Sequence, residues 1–306
     1  MLLKFAIQDF KDDREFKNLS EQTIKTYMIQ LNEFQAYCSE KEILNVEDIT
    51  ANTMKLYFLY CMKSKMNNPV TVNTKIKNLK AFFNYMVEAD VINEKRNPMS
   101  KIEKAKTDTK IEVFSDNHIR QMLNYYRRLK NREHSFHAYR DYTIILTLLG
   151  SGMRLGELCN LKWKEVDLVT GTIIVFGKNR TQASIPITDK LVKELAEYKI
   201  FCQQYFSEPS EQVFINKENK PMTANEVKNV FKRLKTIMNF KDVRLSAHTF
   251  RHTFAHRFLM NGGDVFTLKQ MLRHSSLKMT EKYLAIWGTA LRDQNEKYNP
   301  LSTLDV

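Results

Sequence analysis

Residues 246–283, SAHTFRHTFAHRFLMNGGDVFTLKQMLRHSSLKMTEKY, decide how this chain is read. Phe250, Phe254 and Phe258 recur every four residues and mark the core face of a helix. His248 and Arg251 are three apart and share a neighbouring face. Gly262-Gly263 ends that helix, and VFTLKQML forms a second one leading to His274, with Tyr283 nine residues further on. His248, His252 and His256 fall on one stripe, but HTFRHTFAH places no carboxylate or third ligand among them, so no metal site is expected.

Upstream of this stretch, SGMRLGEL places Arg154 at the start of a short helix with Leu155, Leu158 and Leu161. Just before it, DYTIILTLLG is apolar all round and predicts a buried central helix. Residues 166–187 change to strand chemistry. Thr170-Gly171 is a turn signal between VDLV and TIIVFG, and Lys178-Asn179-Arg180-Thr181 connects to ASIPI, giving a small antiparallel sheet of about three strands. Helices resume at Thr188 and continue to the end.

The first hundred residues read as amphipathic helices with basic outer faces. Ser20 is an N-cap before a stripe of Ile24, Tyr27, Met28, Leu31, Phe34 and Tyr37. A second helix follows Thr50, and a third begins near Val70. Residues 94–112 are polar, contain Pro98 and hold six Lys or Arg. The chain therefore divides into a helical domain at 1–97, a basic linker at 98–112 and a second domain at 113–306. The expected fold is mainly α with one small antiparallel β-sheet.

Bulk properties narrow the function. The formal net charge is +13, with Lys and Arg spread along 306 residues. Such a surface suits a polyanion, and nucleic acid is the obvious one, because phosphate neutralisation releases condensed counterions. The four cysteines form no CxxC pair and suit a reducing cytoplasm. No apolar run approaches the ~20 residues of a membrane span, and the N-terminus lacks the apolar core of a signal peptide.

A set of Arg, His, Arg, His and Tyr has a definite chemistry. Two guanidinium groups can clamp the non-bridging oxygens of a phosphodiester and stabilise the charge of a pentacoordinate transition state. A histidine can take a proton from a phenol, and the tyrosine can be the nucleophile, forming a phosphotyrosine. The cations do the electrostatic work of a metal, so no cofactor is expected.

These residues resemble the signature of the tyrosine recombinases, or phage integrase family, over nearly the whole chain and most closely in its Xer-like branch. The resemblance assigns Arg154 with Glu157 as its structural companion, His248 and Arg251 from HTFR, and His274 and Tyr283 from HSSLKMTEKY. It implies a hairpin lysine that protonates the leaving 5′-oxygen, and VFGKNR points to Lys178. Arg273 stands where the family usually has Gly. His252 matches a residue common in the family's box and is read as structural. Ser20, Thr23 and Tyr27 fit the first helix of the family's core-binding, SAM-like domain, with which the chain begins. Thr23, Tyr27, Lys75 and Lys77 are the expected DNA contacts there.

The resemblance implies a C-shaped clamp on a double-stranded recombination site and a homotetramer, or a heterotetramer with a second recombinase. Accessory DNA-binding factors could assist it. Tyr283 would form a 3′-phosphotyrosyl bond, and strand exchange would pass through a Holliday junction during integration, excision or dimer resolution. Two alternatives use the same residues or fewer: a type IB topoisomerase-like enzyme that relaxes DNA, and a DNA-binding regulator without catalysis.

Overall fold

The computed structural model describes residues 1–107, 111–176, 182–281 and 283. The chain divides into two compact units, Met1–Thr109 and Lys110–Val306.

The first unit is built from α1 (Leu3–Phe16), α2 (Glu21–Ser39), α3 (Ala51–Lys63) and α4 (Pro69–Glu88). The starts of α2, α3 and α4 are set by side chains that satisfy otherwise unpaired N–H groups. Ser20 accepts from the Thr23 N–H, Thr50 and Thr53 form a reciprocal capping box, and Asn68 accepts from the Thr71 N–H with Pro69 at the first helical position. The core joins Phe10, Leu31, Phe34, Tyr57, Phe82 and Phe83, all buried, with Phe10 meeting Phe82 edge-on at 5.6 Å between ring centroids. Helix α1 begins without a side-chain cap at Leu2. Its entry is fixed by long-range pairing instead: Leu3 donates to the Leu44 carbonyl at 2.8 Å. The expected linker also changes character. Met99 is fully buried in this core, and Asn73 exchanges two 2.8 Å hydrogen bonds with the backbone of Ala105. The first part of the 98–112 stretch is thus packed chain, because Met99 and Ile102 join the core of this unit.

The second unit begins with α5 (Asp116–Glu133), capped by Ser115, and α6 (Phe136–Ser151). Helix α6 is the centre: Tyr142, Ile144, Ile145 and Leu148 are buried on different sides, and it packs against α5, α8 (Asp189–Tyr205) and α10 (Ala247–Met260). Between them lie α7 (Leu155–Asn160) and a sheet of β1 (Val166–Asp167), β2 (Thr172–Phe176) and β3 (Gln182–Pro186), paired antiparallel in the order β1-β2-β3. Ile173 pairs with both Val166 and Ile185, and these three turn into the core. The turn into β2 has Gly171 at φ 64, while Asp167 accepts from the Val169 and Thr170 N–H groups. Helices α9 (Ala224–Met238), α11 (Val265–Leu272) and α12 (Lys278–Glu281) complete the described part. No helix among the described residues is long and apolar enough to cross a membrane.

Candidate active site

Two arginines far apart in sequence end on adjacent carbonyls. Helix α6 stops at Ser151, and Gly152 takes the left-handed conformation at φ 60. That turn aims the Gly152 carbonyl at Arg251, whose Nη1 donates to it at 2.7 Å, while Nη2 donates to the Leu272 carbonyl at 2.5 Å. Arg154, at the start of α7, donates from Nη2 to the Arg273 carbonyl at 3.1 Å. The C-terminus of α11 therefore gathers both guanidinium groups just before His274. Arg251 is buried, and burial first, then the charges of Arg154 and Arg273, lower its pKa to about 10. It stays cationic at neutral pH. Arg154 keeps 31% of its side chain exposed, which leaves it open to a ligand.

Glu157 holds this arrangement together. One carboxylate oxygen accepts from the Arg154 backbone N–H at 2.7 Å and the other from its Nη1 at 2.8 Å. The first also accepts from Arg273 at 2.6 Å. Burial raises the Glu157 carboxyl, but the Arg154 N–H and the two guanidinium charges outweigh it and hold the pKa below the usual value. Arg273 caps α11 in the left-handed region, φ 55 and ψ 47. The backbone there is the one a glycine favours, so the substitution leaves the path of the chain into His274 in the conformation that glycine would supply.

Tyr283 is 1% exposed and packs with Ala255, Leu259, Leu268 and Leu272. Its hydroxyl lies 2.7 Å from Nδ1 of His252. Burial pushes the phenol up to about 12, against the opposing charge of Arg251. His274 is buried, with Nδ1 at 2.8 Å from the Thr280 hydroxyl, and its ring lies nearly parallel to that of Tyr283, 7° apart in plane and 6.5 Å between centroids. His248 is exposed and meets the edge of His252 at 5.3 Å. His252, expected from the sequence to be structural, is thus a partner of the tyrosine hydroxyl. Its signal was the i, i+4 spacing from His248. Thr280 had none beyond its place on α12.

Of the remaining expected residues, Lys178 lies at 177–181, outside the described residues. Thr23 and Lys77 are exposed. Tyr27 is half-buried, edge-on to Phe10 at 5.2 Å. Lys75 differs from Lys77 in its surroundings. It is 4% exposed and places its ammonium 2.7 Å from both carboxylate oxygens of Glu33. This ammonium is enclosed and paired with Glu33.

The sequence matches the model of the phage integrase family over residues 112–287 and that of the phage integrase N-terminal SAM-like domain over 7–93. It is 27% identical to tyrosine recombinase XerD of Staphylococcus haemolyticus, covering 93% of this chain and 94% of that one. It is 28% identical to a tyrosine recombinase of Agathobacter rectalis, covering 90% of each. Among solved structures, the fold is similar to the Tn1549 transposon integrase in complex with a circular intermediate DNA, with a TM-score of 0.75 at 20% identity over 95% of this chain and 99% of that one. It is also similar to the XerH site-specific recombinase bound to a palindromic difH substrate, with a TM-score of 0.75 at 18% identity over 92% and 81%. With the two family models together matched over most of its length, the chain belongs to the phage integrase family, the tyrosine recombinases.

Proposed function

We propose that this site-specific DNA recombinase cuts and rejoins duplex DNA with Tyr283 as nucleophile. Arg154 and Arg251 would clamp the two non-bridging oxygens of the scissile phosphate, with His274 donating a further hydrogen bond. Tyr283 attacks phosphorus as its proton passes to a histidine. The bond to the 5′-oxygen breaks, leaving a 3′-phosphotyrosyl bond and a 5′-hydroxyl once that oxygen gains a proton, from Lys178 in this reading. Attack of the hydroxyl from the partner duplex reverses the chemistry and produces a Holliday junction. The bond energy is retained throughout, so neither ATP nor a metal is needed.

The observation that carries this reading is the convergence of Arg154 and Arg251 on the carbonyls of residues 272 and 273, immediately before His274. Because Tyr283 is 1% exposed, its attack requires the α12 turn to move and present the hydroxyl. Action as a tetramer on two recombination sites, with or without a second recombinase, and location in the cytoplasm follow from the family reading.

The test is incubation with a nicked suicide duplex, from which the cleaved strand cannot be religated, followed by denaturing electrophoresis. A covalent adduct forms with the wild-type chain and is absent with Tyr283→Phe. An adduct that persists in the variant would overturn the assignment. An adduct without exchange between two sites would favour DNA relaxation instead.

A further inference from the structure

We propose that Arg273 is a positioning residue that restores the positive charge of the phosphate clamp by sharing Glu157 with Arg154. This rests on the reading of Arg154 as part of that clamp. Glycine would serve the backbone at this position, since φ 55 lies in the left-handed region that side chains disfavour. The side chain present is instead 9% exposed and directed at Glu157, 2.6 Å away. Glu157 has only 6% of its own side chain exposed.

The charges explain what this adds. A buried carboxylate bonded to Arg154 alone makes a neutral pair, and the field that Arg154 presents to a phosphate is correspondingly weak. With Arg273 on the other oxygen, the triad keeps one net positive charge. In a poorly screened site that difference acts directly on a dianionic transition state. The geometry is coupled as well. Arg154 donates to the Arg273 carbonyl, so the residue that balances Glu157 also fixes the far end of the Arg154 fork. The Arg273 Nη1 donation to the Met271 carbonyl keeps its own side chain folded back along α11.

The experiment uses the full chain and a pool of nicked duplexes randomised around the nick, from which wild-type protein selects cleavable members through Tyr283-dependent adducts. On a selected duplex, single-turnover cleavage and DNA affinity are measured for Arg273→Gly, Arg273→Lys, Glu157→Gln and the Arg273→Gly/Glu157→Gln pair. Thermal melting checks that each folds. Arg273→Gly should slow cleavage about tenfold, less than the ~hundredfold typical of losing a direct contact to the reacting group, with affinity changed less than twofold on the same scale of effects. Arg273→Lys should recover part of the rate. Glu157→Gln in the glycine background removes the carboxylate left unbalanced and should bring cleavage back toward wild type. Wild-type cleavage by Arg273→Gly, or a double variant no faster than it, would overturn the inference while leaving the function intact. Absence of any wild-type adduct would overturn both.

Discussion

Nδ1 of His252 lies 2.7 Å from the hydroxyl of Tyr283, one turn of α10 beyond His248. A phenol whose pKa is raised to about 12 by burial is almost wholly protonated at neutral pH and needs a base or a hydrogen-bond acceptor to become a nucleophile. His252→Phe should therefore lower the rate of adduct formation by about 10- to 100-fold while DNA affinity is retained. Single-turnover cleavage measured beside a binding titration separates the two. Equal cleavage by the variant would assign His252 to packing alone.

Gly152 is a second sensitive point. A Cβ there would stand 2.5 Å from Cδ1 of Phe254, on a backbone already at φ 60. Gly152→Ala should cost about 1–3 kcal/mol, from overpacking and from φ > 0, and should displace the carbonyl that holds Arg251. Chemical denaturation measures the first effect, and cleavage at a temperature where the variant is fully folded measures the second.

Glu157 gives a pH dependence with a defined sign. Its carboxyl is held below the ordinary value of 4.5 despite burial, by the Arg154 N–H and by the Arg273 and Arg154 charges. A lowered folded-state value means the stabilisation is complete above the unfolded value and disappears as pH falls through the folded one. The stability gap between wild type and Glu157→Gln should therefore be constant near neutrality and close as pH falls below 4.5. Urea unfolding across that range checks it. A gap that widened on acidification would contradict the assigned ion pairs.

Lys75 and Lys77 separate folding from DNA contact. Lys75→Ala removes the partner of Glu33 and should cost about 1–3 kcal/mol of stability, below the full cost of a broken buried pair because Glu33 is partly exposed. Its DNA affinity, once folded, should be unchanged. Lys77→Ala should leave stability alone and reduce the salt slope of DNA binding by about 1. Denaturant melts and binding titrations over a salt series distinguish the two.

The main helices from Ser20 onward, the small sheet and the residue types of the site were legible along the chain, because these depend on local spacing, whereas the uncapped α1 was not. Ser20 and Ser115 announce their helices by capping chemistry, the all-round apolarity of DYTIILTLLG marks α6 as central, and HTFR with HSSLKMTEKY sets four candidate site residues at readable offsets. The sequence did not separate Lys75 from Lys77, because both alternate along one basic helix and only packing against Glu33 and Cys61 buries one of them. Nor could it pair His252 with Tyr283, thirty-one residues apart, or join Arg273 to Glu157 across 116 positions. Those contacts exist because α7, α10 and the end of α11 meet in space, and charge balance among buried groups is decided by which neighbours the fold supplies.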